Sequence, residues 1–192
     1  MSDTIRMMAL SGLAYEDTVP LGFRPLPKLP EGPDLQRLNA ENAQVLQADS
    51  SLEEYRRVEP REDGEPLFQE IQRLEFKLDV VLRVMGNLLE HQNVVPSRRK
   101  FRIYAQGLEW TESASEAAAT PAVGTRGIVS LYVNRSLPFP IELPVEVTAV
   151  SGQGERNVRV AFHGLSAHVA DLLEKMIFRH HRRLVAEARQ HR

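Results

Sequence analysis

The sequence predicts an α+β chain: a small antiparallel β-barrel with a C-terminal helix, preceded by a long heptad-repeat helix and a second, weaker helix. Three observations carry this. An unbroken 3/4 spacing of apolar residues runs through 67–88, the period switches from helical to alternating at 101, and a strongly amphipathic stretch closes the chain after Ser166.

The heptad pattern sets Leu67, Ile71, Leu74, Leu78, Val81, Met85 and Leu88 at successive spacings of 4, 3, 4, 3, 4 and 3. Such a seam keeps one stripe facing a parallel partner by slight under-winding of the helix. Pro66 suits the first position of this helix, because its missing N–H has no intrahelical acceptor there. Phe68, Leu82, Val84 and Leu89 widen the stripe beyond what a two-stranded coil buries, which asks for three or four helices. The expectation is a homo-oligomer, a tetramer. The alternative is an intramolecular hairpin with the preceding helix.

That preceding helix is expected over 34–58, capped by Asp34. Its seam of Leu35, Leu38, Asn42, Val45, Asp49 and Leu52 is polar at two of six places, so it is marginal without a packing partner. Before it, "VPLGFRPLPKLPEGP" holds five prolines in fifteen residues. Proline fixes φ and removes an amide donor, so neither helix nor central strand is expected to persist in 1–33, and a loosely ordered extended tail is favoured. The organisation is thus 1–33 extended, 34–95 helical and oligomerising, and 96–192 barrel with terminal helix.

The strand signals are "FRIYAQGLEW" (101–110), "GIVSLYV" (127–133), "IELPVEVTAV" (141–150) and "NVRVAFHG" (157–164), separated by turn residues and one low-complexity loop. In the closing helix Val169, Leu172, Leu173, Met176, Ile177 and Leu184 make the apolar face.

The chain has 192 residues, a formal charge of −2 and no cysteine. Disulfides, thiol catalysis and cysteine metal sites are excluded, and nothing in the overall charge attracts nucleic acid or an acidic membrane. The charge is nevertheless uneven. Residues 31–75 carry twelve acids against five bases, while 174–192 carry six bases against two acids, so the basic tail is suited to an acidic partner or to the acidic segment of a neighbouring copy. No run approaches the roughly 20 apolar residues of a membrane helix. The apolar "MMALSGLAY" (7–15) follows Asp3 and lacks a small-x-small cleavage site, so a cytoplasmic protein is expected.

No catalytic residue is assigned. The serines lie in no nucleophile-elbow context, "GTRG" is too short for a phosphate loop, and adjacent His180 and His181 point to different faces, so no metal site is expected. A basic-zipper reading fails because a barrel, not a continuous basic helix, follows "RRKFR".

"SRRKFRIY" (97–104) opens the barrel with Arg98-x-x-x-Arg102, and Gly127 follows a small-residue loop. An arginine cluster before a barrel of this size, with "VRVAFHGLS" feeding a terminal helix, resembles the PilZ domain over about 96–185. The resemblance implies a receptor for the bacterial second messenger cyclic di-GMP. In such domains an RxxxR pair grips phosphate and guanine, and a [D/N]xSxxG motif supplies acceptors. It marks Arg98, Arg99, Arg102, Gly124 and Gly127 as the ligand candidates, with Arg98 and Arg99 both able to lead the pair.

Guanidinium groups offer forked donors and flat cations, while a guanine's own N–H groups need acceptors in return. Setting Gly127 on the motif's last glycine places Ala122 and Gly124 where Asp/Asn and Ser belong. Neither has a side-chain acceptor. The expectation is therefore a non-enzymatic PilZ-like adaptor with degenerate or absent cyclic di-GMP binding and no cofactor, acting on other signalling proteins. The alternatives are a working receptor that uses the arginines, and a wet junction that merely starts a strand.

Overall fold

The structure, a computed structural model, describes residues 13–55, 95–112, 120–134, 137, 139–152 and 154–190, together with positions 70, 71, 73, 74, 76–78, 80, 81, 84 and 85. Six strands close a barrel: β1 (Tyr15–Pro25), β2 (Arg98–Tyr104), β3 (Gly107–Glu112), β4 (Arg126–Leu131), β5 (Ile141–Ser151) and β6 (Arg156–Phe162). The order around it is β1-β2-β3-β6-β5-β4, antiparallel throughout. Helix α1 (Gly32–Tyr55) lies between β1 and β2 in sequence, and α3 (Ala167–Gln190) follows β6. The described positions between 70 and 85 are helical and are called α2.

The proline-rich segment corrects the expectation of a loose tail. Residues 15–25 are a strand with neighbours on both sides, and the barrel closes through them. Proline is tolerated because β1 changes partner within its length. Tyr15–Pro20 pairs with β2 and Leu21–Pro25 with β4, so Pro20 and Pro25 each end a ladder rather than interrupt one. The ladder carries on around Pro20 through its carbonyl, which accepts from Tyr132 N, and through Leu21 N, which donates to Ser97 O. The barrel therefore starts at Tyr15, and both N-terminal helices are inserted between its first two strands. "FRIYAQGLEW" is likewise two strands: Tyr104 pairs with Gly107 across a tight hairpin. A Cβ on Gly107 would meet Val160 O at 2.2 Å, so only glycine fits there.

Alternation fills the interior. Phe101, Ile103, Leu108, Trp110, Val129, Leu131, Leu143, Val145, Val158 and Val160 point inward. Ala43 and Leu46 of α1, with Val169, Leu173, Met176 and Ile177 of α3, join the same cluster. Fully burying one such side chain contributes about 1.5–3 kcal/mol. In α3 Ser166 caps as expected, its Oγ accepting from Val169 N at 3.2 Å, but Leu184 falls beyond the covered face and is exposed.

The two polar places in the α1 seam prove to be its anchors. Asn42 Nδ2 donates to Glu142 O at 2.7 Å while its Oδ1 accepts from Glu142 N at 2.8 Å, so the side-chain amide mimics a strand neighbour at the start of β5. Asp49 accepts from Asn134 Nδ2 at 2.9 Å and from an Arg179 guanidinium nitrogen at 3.2 Å. A helix marginal alone is thereby fixed to the barrel and to α3.

Of the heptad seam, Ile71, Leu74, Leu78, Val81 and Met85 are described and helical; Leu67 and Leu88 lie outside the described residues. All five are exposed in the single chain, Leu78 at 62%. A helix that presents aliphatic side chains to water in this way needs a cover.

Candidate functional site

Strand alternation decides what the arginine cluster can reach. In β2, residues 98, 100 and 102 face outward while Arg99, Phe101 and Ile103 face in. Arg98 donates to the carbonyl of Thr18 on β1. Arg102 meets Glu16 Oε1 at 2.9 Å, and its guanidinium carbon lies 5.3 Å from the centre of the Tyr104 ring. The Arg99 side chain enters the upper barrel, where a guanidinium nitrogen approaches Glu112 Oε1 at 3.3 Å.

Glu112 is the buried centre of that end. Its carboxylate, 2% exposed, also accepts from Trp110 Nε1 at 3.1 Å and from Thr120 Oγ1 at 2.6 Å. A carboxylate is held in a barrel interior only when its oxygens are satisfied in this way. The reading of the arginines as ligand candidates missed Glu112. The available signal was its place two residues after Trp110, which puts both on the inner face of one strand.

The outer face carries a second arrangement that composition hides. Glu16, Arg102, Glu109 and Arg159 are successive register partners across β1, β2, β3 and β6. Arg102 bonds Glu16, and two Arg159 nitrogens reach Glu109 Oε2 at 2.8 and 3.0 Å. Opposite charges directly across strands are mutually supporting. The row borders a shallow polar groove of about 330 Å³ with Lys100, Thr111 and Asn157. Tyr104 lies against the row, donating to Glu109 Oε1 at 3.0 Å, and burial together with that bond pushes its hydroxyl up to about 12.

The glycine turn lies elsewhere. Gly124, at φ +84°, donates to Val147 O, and Thr125 N donates to Ala122 O, so the backbone of the turn is engaged within the barrel. Gly127 pairs with Pro25, and a Cβ there would stand 2.5 Å from Arg24 O and 2.7 Å from the Phe23 ring. Its role in the fold is close approach to β1. Because Glu16 pairs with Arg102 and Pro25 with Gly127, nine residues of β1 separate the two ends, about 30 Å of strand; Pro20, the partner of Arg98, is five residues from Pro25, about 16 Å. The structure does not bring Arg102 and the glycine turn together.

Of the histidines, His180 is buried and stacks on Tyr15 at 4.0 Å between ring centres, and His181 lies 3.3 Å from Ala14 O. Among the described residues no group of three or more His, Cys, Asp or Glu converges as a metal site. None of the described helices is long and apolar enough to cross a membrane.

A family model described as an atypical PilZ domain, cyclic di-GMP receptor, matches residues 46–190. The chain belongs to the atypical PilZ family. Among solved structures the PilZ chain is similar to a pathogenic protein from Xanthomonas campestris, described as a new tetrameric PilZ domain self-assembled via an unusual helical bundle. The two are 25% identical with a TM-score of 0.69, over 92% of this chain and 91% of that one. No curated protein matches. PilZ domains are receptor and regulatory domains, and the closed six-stranded barrel with flanking helices is the fold of this family.

Proposed function

We propose that this PilZ chain is a non-enzymatic regulatory adaptor, held as a tetramer by a parallel bundle of its heptad helices, with degenerate or absent cyclic di-GMP binding. It acts through contacts with other signalling proteins in a bacterial cytoplasm. The observation that carries the reading is the engagement of the arginines by the protein itself. Arg99 meets the buried Glu112 and Arg102 meets Glu16, while the turn carries Ala122 and Gly124 in place of acceptor residues and stands about 30 Å of strand from Arg102.

A phosphate that took Arg99 would have to displace Glu112 and leave a buried carboxylate short of its cation, at a cost of several kcal/mol. A guanine at the turn would find no side-chain acceptor, at about 1–3 kcal/mol for each unpaired group. The tetrameric Xanthomonas relative and the exposed leucine seam support the assembly.

Isothermal titration tests the binding side. Under the adaptor reading cyclic di-GMP gives no heat at micromolar ligand. The family description favours the contrary reading of a working receptor, which predicts binding that disappears in Arg98→Ala and Arg102→Ala.

A further inference from the structure

The heptad helix carries a second apolar stripe that runs from the edge of its widened seam at Val84 onto the outer face at Val80 and Phe76. Phe76, Val80 and Val84 recur every four residues and are all exposed, Phe76 at 70%. At about 100° per residue this stripe is centred roughly 160° around the helix from the line of Ile71, Leu78 and Met85. A parallel bundle that buries the seam therefore leaves Phe76 and Val80 on its outside. Arg73 and Lys77 lie beside the stripe.

The globular part has a matching groove. Leu38, Val45 and Ala48 of α1 form one wall and Leu137, Phe139 and Pro140 the other, around about 520 Å³. Phe139 is 63% exposed. Glu41 and Glu142 line it with no basic residue among the lining side chains, Arg37 standing 3.9 Å from Glu41 outside the groove, and the groove complements a stripe edged by Arg73 and Lys77. The lengths agree as well. Leu38 to Ala48 spans about 15 Å of helix and Phe76 to Val84 about 12 Å.

We infer that the Phe76–Val80–Val84 stripe of one copy docks into the α1–Phe139 groove of a second copy, braiding each barrel to a neighbour's helix. Within the single chain both surfaces are open, so neither covers the other in cis. Each copy offers one stripe and one groove, and under the cyclic symmetry of a parallel bundle such contacts close into a ring. The inference rests on the proposed helix assembly.

The chain lacks cysteine, so a disulfide reports only introduced pairs. Val80→Cys is carried by one tagged full-length copy and Phe139→Cys by a copy with a longer tag; the two are co-expressed, sized by light scattering and then oxidised. The expected result is a multi-chain mass and a mixed-tag disulfide dimer, several-fold above a control pairing Val80→Cys with Val123→Cys. An assembled mass with no mixed dimer above the control overturns the docking and leaves the assembly standing. A single-chain mass overturns both. In a copy bearing both cysteines, closure within one chain instead of between chains shows the groove filled by its own helix and also overturns the inference.

Discussion

Replacing Asp49 by alanine is the sharpest test of how the inserted helix is tied to the barrel. The carboxylate is 1% exposed, and it joins α1 to α3 through Arg179 and to the segment after β4 through Asn134. Removing it deletes two hydrogen bonds to a carboxylate, from Arg179 and from Asn134, about 1.5–3 kcal/mol each. It also leaves the Arg179 guanidinium without its carboxylate. Breaking a buried ion pair from one side costs roughly 3–5 kcal/mol. Arg179 keeps its bond to Ser50 Oγ at 2.7 Å, and its side chain is 17% exposed, so water relieves part of the loss. The lower end of that range applies, about 3 kcal/mol.

For a chain of this size each kcal/mol lowers Tm by ~2–4 °C, so a fall of about 6–12 °C is expected. Trp110 is the single tryptophan and is buried in the barrel, which makes its fluorescence a direct probe of barrel melting. Thermal and urea transitions are compared at one protein concentration, because assembly shifts apparent stability by mass action. A loss below about 1 kcal/mol would refute the claim that this pair anchors α1.

Two further outcomes follow from the same geometry. Gly127→Ala drives a methyl against Arg24 O and the Phe23 ring, and a cost of about 1–3 kcal/mol is expected in urea melts; a neutral substitution would show that β1 and β4 can separate freely. Tyr15, Tyr104 and Tyr132 are all raised above the ordinary value of 10.0, with burial the largest cause in each. Since the folded state holds these protons more tightly, their contribution to stability is complete below pH 10 and is lost as pH climbs through the folded values, about 12 for Tyr104. An ultraviolet titration in which all four tyrosines ionise together near pH 10 contradicts this.

Much of the barrel was legible because period-two alternation is a local signal: Phe101, Ile103, Leu143, Val145 and Val147 announce their face by spacing alone. β1 was not, because proline content argues against a strand and only the change of partner at Pro20 makes it acceptable. Asn42 and Asp49 looked like flaws in a seam. Their acceptors and donors, Glu142, Asn134 and Arg179, stand 85 to 130 residues away in sequence, beyond any periodicity.

The same distance effect governed the site. "SRRKFR" showed its charge but not that Arg99 turns inward to Glu112, thirteen residues on, nor that Arg102 faces Glu16 across a strand the prolines had concealed. The heptad seam was visible because it repeats. Phe76 and Val80 escape notice because heptad counting follows the core positions and ignores what the outer face carries.

The central claim is that α2 exists to be covered by copies of itself. Light scattering of the intact chain measures this directly. With a single-chain mass of 21.7 kDa, four copies give 4 × 21.7 = 86.8 kDa, and Leu78→Asp, which sets a charge in the seam, is expected to return the mass to one chain. A wild-type mass of one chain, or a Leu78→Asp variant that stays assembled, contradicts the account.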